Sequence, residues 1–288
     1  MPQCTIKGSG LKQTQPGPPI SGQCGRQLRD PTSLAAARLT GPIGHHRTFA
    51  TMTAQPIPPM AAAMRPPLSH IDAWIFDLDN TLYPAHSSLF PQIDARMGLY
   101  IQRLLNVDPI EAHRIQKQLF HSHGMTLPGL MALHNVDPHD FLAKVHDVDI
   151  DVLRPHPELG DLISRLPGRK FIFTNADAPY AERVLARLGL THAFDAMHDI
   201  HALDYVPKPQ PPAYTHMCAV HGIAPDRAMF VEDMARNLAP AKDIGMTTVW
   251  IDNGSEQGPA GGLDHIDYRI NDLAEFLADV LENLEPQA

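Results

Sequence analysis

Asp77 and Asp79 stand two residues apart in AWIFDLDNTLYP (73–84), directly after a run of large apolar side chains. Two carboxylates that close raise each other's pKa and cost energy unless a cation or a reaction needs them. Other polar groups share the setting. Thr174 and Asn175 end KFIFTN (170–175), Glu232 and Asp233 end AMFVED (228–233), and Lys208 lies in VPKPQPPAY (206–214) ahead of a helical stretch. If these segments converge, four carboxylates and one lysine share a crevice, and the anions cannot all stay ionised without a further cation. Hard oxygen donors suit Mg²⁺, which keeps several waters and binds through a few carboxylates plus a substrate phosphate. Each residue alone has a plainer reading: an Asp after a strand often caps, and a loop Lys is usually solvated. Their recurrence at successive segment ends argues for a site.

The elements that must position them alternate. AWIF (73–76), KFIFTN, AMFVED and TTVWID (247–252) are near-continuous apolar runs closing on polar residues, as strands buried on both faces of a parallel sheet do. Between them APYAERVLARLGL (178–190), PPAYTHMCAVHG (211–222) and MARNLAPAKDIG (234–245) read as helices. Asp177 is the expected N-cap of the first, Pro179 sits near its start and Gly189 stops it; Pro240 should shorten or kink the last. Strand–helix alternation with right-handed crossovers predicts an α/β fold, a doubly wound parallel sheet with its ligand site at the carboxyl ends of the strands. The polar residues above occupy those ends.

Between the first two strands lie roughly ninety residues without a good strand pattern. PQIDARMGLYIQRLLN (91–106), DPIEAHRIQKQLFH (108–121) and DPHDFLAKVHD (137–147) read as helices, and Asp108–Pro109 and Asp137–Pro138 each supply an N-cap and a first-turn proline. His113, His121, His123, His134, His139 and His146 crowd this region without a metal-site spacing, so they read as surface or packing residues.

The chain has 288 residues, 43% hydrophobic and 19% charged, with no apolar run approaching the ~18–20 residues of a membrane span. Residues 1–70 carry seven Lys/Arg and one acid, a net +6; the remainder carries −15, which argues against a nucleic-acid-binding surface. Cys4, Cys24 and Cys218 form no framework, which fits a reducing compartment, and a cytoplasmic location is expected. The first 69 residues lack periodicity and include QPIPPMAAAMRPP, which cannot hold a helix or a central strand. They read as a disordered extension rather than a targeting segment, with Met52, Met60 and Met64 just ahead of the folded part.

DLDNTLY, FTNAD, KPQPPAY and FVEDMARNL, in that order between Phe76 and Leu238, together resemble the haloacid dehalogenase superfamily of phosphohydrolases. The resemblance implies Asp77 as nucleophile and Asp79 as general acid and base. It also implies Thr174 and Asn175, with the backbone at Leu78, holding the phosphoryl group, and Lys208 balancing charge. Asp233 is the implied metal contact beside Asp77 and the Asp79 carbonyl, with Glu232 its partner and Mg²⁺ the cofactor. Dehalogenase members lack the second aspartate; phosphohydrolases keep it, and so would a phosphotransferase or mutase. One departure stands out: many members carry a second acid four or five residues after the metal-binding aspartate, where this chain has Asn237.

The residues between the first two motifs resemble the superfamily's helical cap of the first class. The implied organisation is a Rossmann-like core of 70–84 and 155–288 with a cap of 85–154. HGMTLPGLMALHNVDPHDFLAKVHDVD (123–149) and the following LRPHPEL further resemble pyrimidine 5′-nucleotidases. That implies hydrolysis of a small-molecule phosphate monoester, UMP or CMP, with phosphoglycolate or a sugar phosphate as the alternative. In this reading Gly124 and Gly129 let backbone approach a planar ligand, and Leu127, Leu130 and Met131 supply apolar wall. No nucleic-acid or membrane partner is expected, and oligomeric state is not legible.

Overall fold

The structure is a computed structural model that describes residues 68–254 and 262–284; the N-terminal extension expected from composition lies outside these residues. Six parallel strands form one sheet in the order β3-β2-β1-β4-β5-β6. They are β1 (Ala73–Phe76), β2 (Arg169–Phe173), β3 (Ala196–His198), β4 (Ala228–Glu232), β5 (Thr247–Ile251) and β6 (Tyr268–Ile270). This is the doubly wound arrangement, with its switch point where β1 lies between β2 and β4. The period-2 pleat divides β1 between two layers: Trp74 and Phe76 join one hydrophobic cluster, Ala73 and Ile75 the other. Both faces are covered, which is why these strands read as unbroken apolar runs.

β3 and β6 were not legible. Each has three residues, and β3 pairs along one edge alone, so neither presents a period long enough to detect.

Between β1 and β2 come α1 (Leu89–Leu105), α2 (Pro109–His123), α3 (Thr126–His134), α4 (Pro138–Val145) and α5 (Pro157–Arg165). Asp108 accepts from the Ile110 and Glu111 amides, and Asp137 from that of His139, as their Asp-Pro sequences predict. Helix α3 departs from expectation. Gly129 lies within it, where an added Cβ would stand 2.7 Å from Leu119 Cδ2 on α2, and Leu127 and Leu130 are fully buried. The glycine stands where α3 meets α2, and the two leucines belong to the hydrophobic core.

The remaining helices are α6 (Ala178–Leu188), α7 (Pro211–His221), α8 (Ala235–Asp243) and α9 (Leu273–Leu284). Gly189 closes α6 at φ 80°, and α8 runs its nine residues with Pro240 inside it. Asp177 holds the N-cap position of α6 with extended backbone, and its carbonyl accepts from the Ala181 amide at 3.0 Å, but no α6 amide donates to its carboxylate within hydrogen-bond geometry. Its carboxylate bonds His146 instead, and the α6 amide of Ala178 is taken by Asp199. No described helix is long and apolar enough to cross a membrane.

Candidate active site

The register places the ends of β1, β2 and β4 level, with Phe76 opposite both Ile172 and Val231. Asp77 is the next residue, its amide bonded to the Val231 carbonyl at 3.0 Å. The residues following the three central strands therefore meet at the switch-point crevice. Lys208 enters from the loop before α7, with its ammonium fully inside the protein. It donates to Asp77 Oδ1 at 2.6 Å, Glu232 Oε2 at 2.7 Å and the Phe173 carbonyl at 2.8 Å. Three donors and three acceptors leave nothing on the ammonium unsatisfied. Thr81 Oγ1 donates to the other Asp77 oxygen at 3.0 Å.

Asn175 fixes the lysine's loop. Its Oδ1 accepts from the Lys208 amide at 2.9 Å and its Nδ2 donates to the Lys208 carbonyl at 3.1 Å. The lysine's main chain thus takes the amide oxygen and one of the two Nδ2 protons of Asn175. Thr174 is buried, and its hydroxyl accepts from the Ala176 amide at 3.0 Å, which leaves its own proton to donate. Leu78 is buried in the apolar core, so only its main chain can face a ligand. Gly124, at φ 80°, closes α2 against Pro207 and Pro209, which flank Lys208.

Asp79 is half-buried. Its Oδ1 accepts from Tyr83 at 2.5 Å and from Tyr180 at 2.7 Å. Burial, the Asp79 charge and the neighbouring phenol hold Tyr83 far above its ordinary pKa; burial and Asp79 do the same for Tyr180. Both remain protonated donors.

Asp77, Glu232 and Asp233 form a buried cluster whose ligand oxygens lie within 4.8 Å of one another. Burial and then the Glu232 charge push Asp77 up to about 7 despite Lys208, and burial with Glu232 pushes Asp233 well above the carboxylate range. Burial opposes the Lys208 charge, but Asp77 and Glu232 outweigh it and raise that pKa. One ammonium is too little positive charge for this pocket. An all-oxygen donor set with excess negative charge fits a divalent hard cation such as Mg²⁺. Asn237 is also buried, one turn beyond Asp233, with its Oδ1 lacking a partner among the described residues.

Several contributors carried no signal in the sequence. His146, at the end of α4, bonds Asp177 at 2.6 Å and stacks on Tyr180 with centroids 4.3 Å apart. Burial tends to raise the Asp177 pKa, but the His146 contact prevails and lowers it. Arg183 donates to the His146 carbonyl. On the other side Arg236 of α8 lies over Phe120 of α2, 4.3 Å from the ring centroid. Only Tyr83, one turn after Asp79 in the first motif, was within reach of sequence reasoning. The rest meet across 31 to 116 residues of chain.

The sequence profile of haloacid dehalogenase-like hydrolases matches residues 71–245. The chain is 24% identical over 227 residues to Phosphate metabolism protein 8 of Saccharomyces cerevisiae, covering 73% of this chain and 70% of that protein. It is 27% identical over 188 residues to Fructose-1-phosphate phosphatase YqaB of Escherichia coli, covering 61% of this chain and 93% of that one. A crystal structure of an HAD phosphatase from Thermococcus onnurineus shares the fold, with TM-score 0.50 and 20% identity over 73% of this chain and 98% of that chain. The profile match takes in more than half of the chain and every one of the strand-end residues above, and the chain belongs to the haloacid dehalogenase-like hydrolase family.

Proposed function

We propose that this protein is a Mg²⁺-dependent phosphomonoester hydrolase working through an aspartyl-phosphate, with a pyrimidine 5′-nucleotidase as the specific reading. The observation that carries the reaction class is the pairing of a buried Asp77, bonded to Lys208 at 2.6 Å, with a second carboxylate, Asp79, held apart by two phenols. Two carboxylates in different surroundings can hold different protonation states, as a nucleophile and a proton carrier must. The similar phosphatase from Escherichia coli supports the same class.

The ionised Asp77 attacks phosphorus while Asp79 gives its proton to the departing ester oxygen, releasing an alcohol and leaving phosphate on Asp77. Asp79, now a carboxylate, takes a proton from the water that attacks the aspartyl-phosphate, so phosphate leaves and both aspartates return to their starting states. The Thr174 hydroxyl and main-chain amides after Asp77 donate to the phosphoryl oxygens, and the Lys208 charge, its protons already placed, acts on them through space. Asp77, Asp233 and the Asp79 carbonyl would hold Mg²⁺, with Glu232 beside them. The metal would supply charge neutralisation and orientation of the phosphoryl group. Residues 85–154 act as a cap that excludes water from the crevice.

Uridine or cytidine monophosphate is the substrate favoured by the α3–α4 segment, which resembles that of pyrimidine nucleotidases. A sugar phosphate is the second reading, favoured by similarity to a fructose-1-phosphate phosphatase over 93% of its length. Measuring kcat/KM for UMP, CMP, AMP, GMP, phosphoglycolate and fructose 1-phosphate under one condition decides between them. Preference for pyrimidines by at least ~10-fold, worth about 1.4 kcal/mol, supports the nucleotidase; equal purine rates or a sugar-phosphate preference overturn it. Asp77→Asn and Asp79→Asn should each abolish turnover, and near wild-type rates from either would refute the assigned roles.

A further inference from the structure

Two phenols reach one oxygen of Asp79 from separate parts of the chain. Tyr83 comes from the same loop, Tyr180 from α6, and their hydroxyls stand 3.4 Å apart over Oδ1. No described residue donates to Oδ2. A carboxyl oxygen has two lone pairs, so two O–H donors saturate Oδ1. A proton on Asp79 then has only Oδ2 to occupy.

The geometry points to Tyr83 and Tyr180 as positioning residues that confine the transferable proton to Asp79 Oδ2 and fix the direction from which it is delivered. The inference rests on Asp79 acting as the acid of a phosphomonoesterase. Neither phenol needs to touch substrate. Their rings are buried, which limits rotation of the carboxylate about its χ angles. Tyr180 is in turn stacked on His146 at an interplanar angle of 20°, and His146 bonds Asp177. The proton carrier is thereby tied to the end of α4 by a chain of direct contacts. A plainer role exists, since buried tyrosines generally find a partner for the hydroxyl. The two roles predict different kinetics.

Phosphoryl transfer to Asp77 needs a proton on the leaving oxygen when that oxygen is basic, and not when it is a nitrophenolate. The test uses the full chain with Mg²⁺, comparing kcat/KM for p-nitrophenyl phosphate and phenyl phosphate. This parameter reports the first transfer, so the later use of Asp79 as a base does not enter it. Tyr83→Phe/Tyr180→Phe, which keeps both rings, is expected to lose phenyl phosphate activity at least ~10-fold more than p-nitrophenyl phosphate activity, with Asp79→Asn showing a larger disparity. Each single variant should show part of the effect, which covers a double variant that fails to fold. Equal losses on both esters, or none, from the tyrosine variants while Asp79→Asn discriminates would overturn the positioning role. No disparity from Asp79→Asn, or no hydrolysis of either ester by the wild type, would overturn the acid reading itself and the inference with it.

Discussion

Lys208 and Glu232 meet at 2.7 Å with each side chain 1% exposed, and the same ammonium lies 2.6 Å from Asp77. A buried ion pair is weak evidence for net stability, but removing one partner strands the other charge in a low-dielectric interior. Lys208→Met should therefore lose activity and also destabilise the protein by about 3–5 kcal/mol near neutral pH, read by urea denaturation. Pairing it with Glu232→Gln in a double-mutant cycle should give a coupling above ~1 kcal/mol. Additive effects would show that the two charges do not depend on each other.

Metal addition should stabilise the protein before any substrate is present. The oxygens of Asp77, Glu232 and Asp233 exist as a cluster only in the folded chain, so an ion held there would bind the native state preferentially. At 100 times its Kd the ion should add about 2.7 kcal/mol and raise Tm, with EDTA reversing both the shift and the activity. Asp233→Asn should flatten the dependence of Tm on Mg²⁺ concentration. A Tm that ignores Mg²⁺ in the wild type would argue against a cation in this cluster.

What was legible in the sequence follows from where the determining forces are local. Asp77, Thr174, Glu232 and Asp233 each follow an apolar strand run, so pattern alone placed them together. Lys208 was legible through its motif. Asp177 stands at the N-cap position that its local sequence indicates, but its carboxylate is taken by His146, 31 residues earlier, which no local pattern shows. Helix α3 was hidden by Gly129 and Pro128, residues that usually break a helix. Here the proline falls in the first turn, where its missing N–H costs nothing, and the glycine admits Leu119. Tyr180 could not be read at all: its pairing with Asp79 spans 101 residues and leaves no periodic trace.

Acid should weaken the fold through His198. This side chain is buried at the end of β3, with Nδ1 3.2 Å from His221 and Nε2 3.3 Å from His216. Burial, then His221 and His216, pull its pKa from 6.5 to about 4, and Asp199 only partly opposes them. The folded pKa lies below the unfolded one, so above pH 6.5 the group is neutral in both states and contributes nothing. Between pH 6.5 and 4 the unfolded chain takes a proton that the folded chain refuses. The resulting loss of stability should approach ~3 kcal/mol by pH 4. His198→Gln should flatten the fall of Tm across that window; an unchanged slope would assign acid sensitivity to other groups.

Arg236 and Phe120 join α8, the helix that follows Glu232 and Asp233, to the helical insertion, the guanidinium lying 4.3 Å from the ring centroid. Burial lowers the Arg236 pKa, while Glu232, Tyr214 and Asp233 oppose that shift. A partly desolvated cation over an aromatic face is worth about 0.5–2 kcal/mol. If the insertion must seat on the core for turnover, Phe120→Ala and Arg236→Gln should each lower kcat/KM. Their double variant should be less impaired than the product of the singles predicts, by ~2- to 30-fold. Multiplicative losses would mean that the contact does not couple the two parts.

Gly129 separates packing from ligand binding within the insertion. A Cβ there would lie 2.7 Å from Leu119 Cδ2, 3.0 Å from His123 Nδ1 and 3.1 Å from Leu119 Cβ. Leu119 is itself buried, so it has little room to withdraw. Gly129→Val forces α3 away from α2 and should cost about 1–3 kcal/mol, the ordinary penalty of overpacking, visible as a lower urea midpoint. If Gly129 only admits Leu119, KM for the preferred substrate should stay within ~2-fold of wild type under conditions where the variant is fully folded. A glycine that made room for a planar base would give the opposite pattern: KM would rise by ~10-fold or more, the 1.4 kcal/mol or so lost to a blocked contact, while the urea midpoint stayed in place.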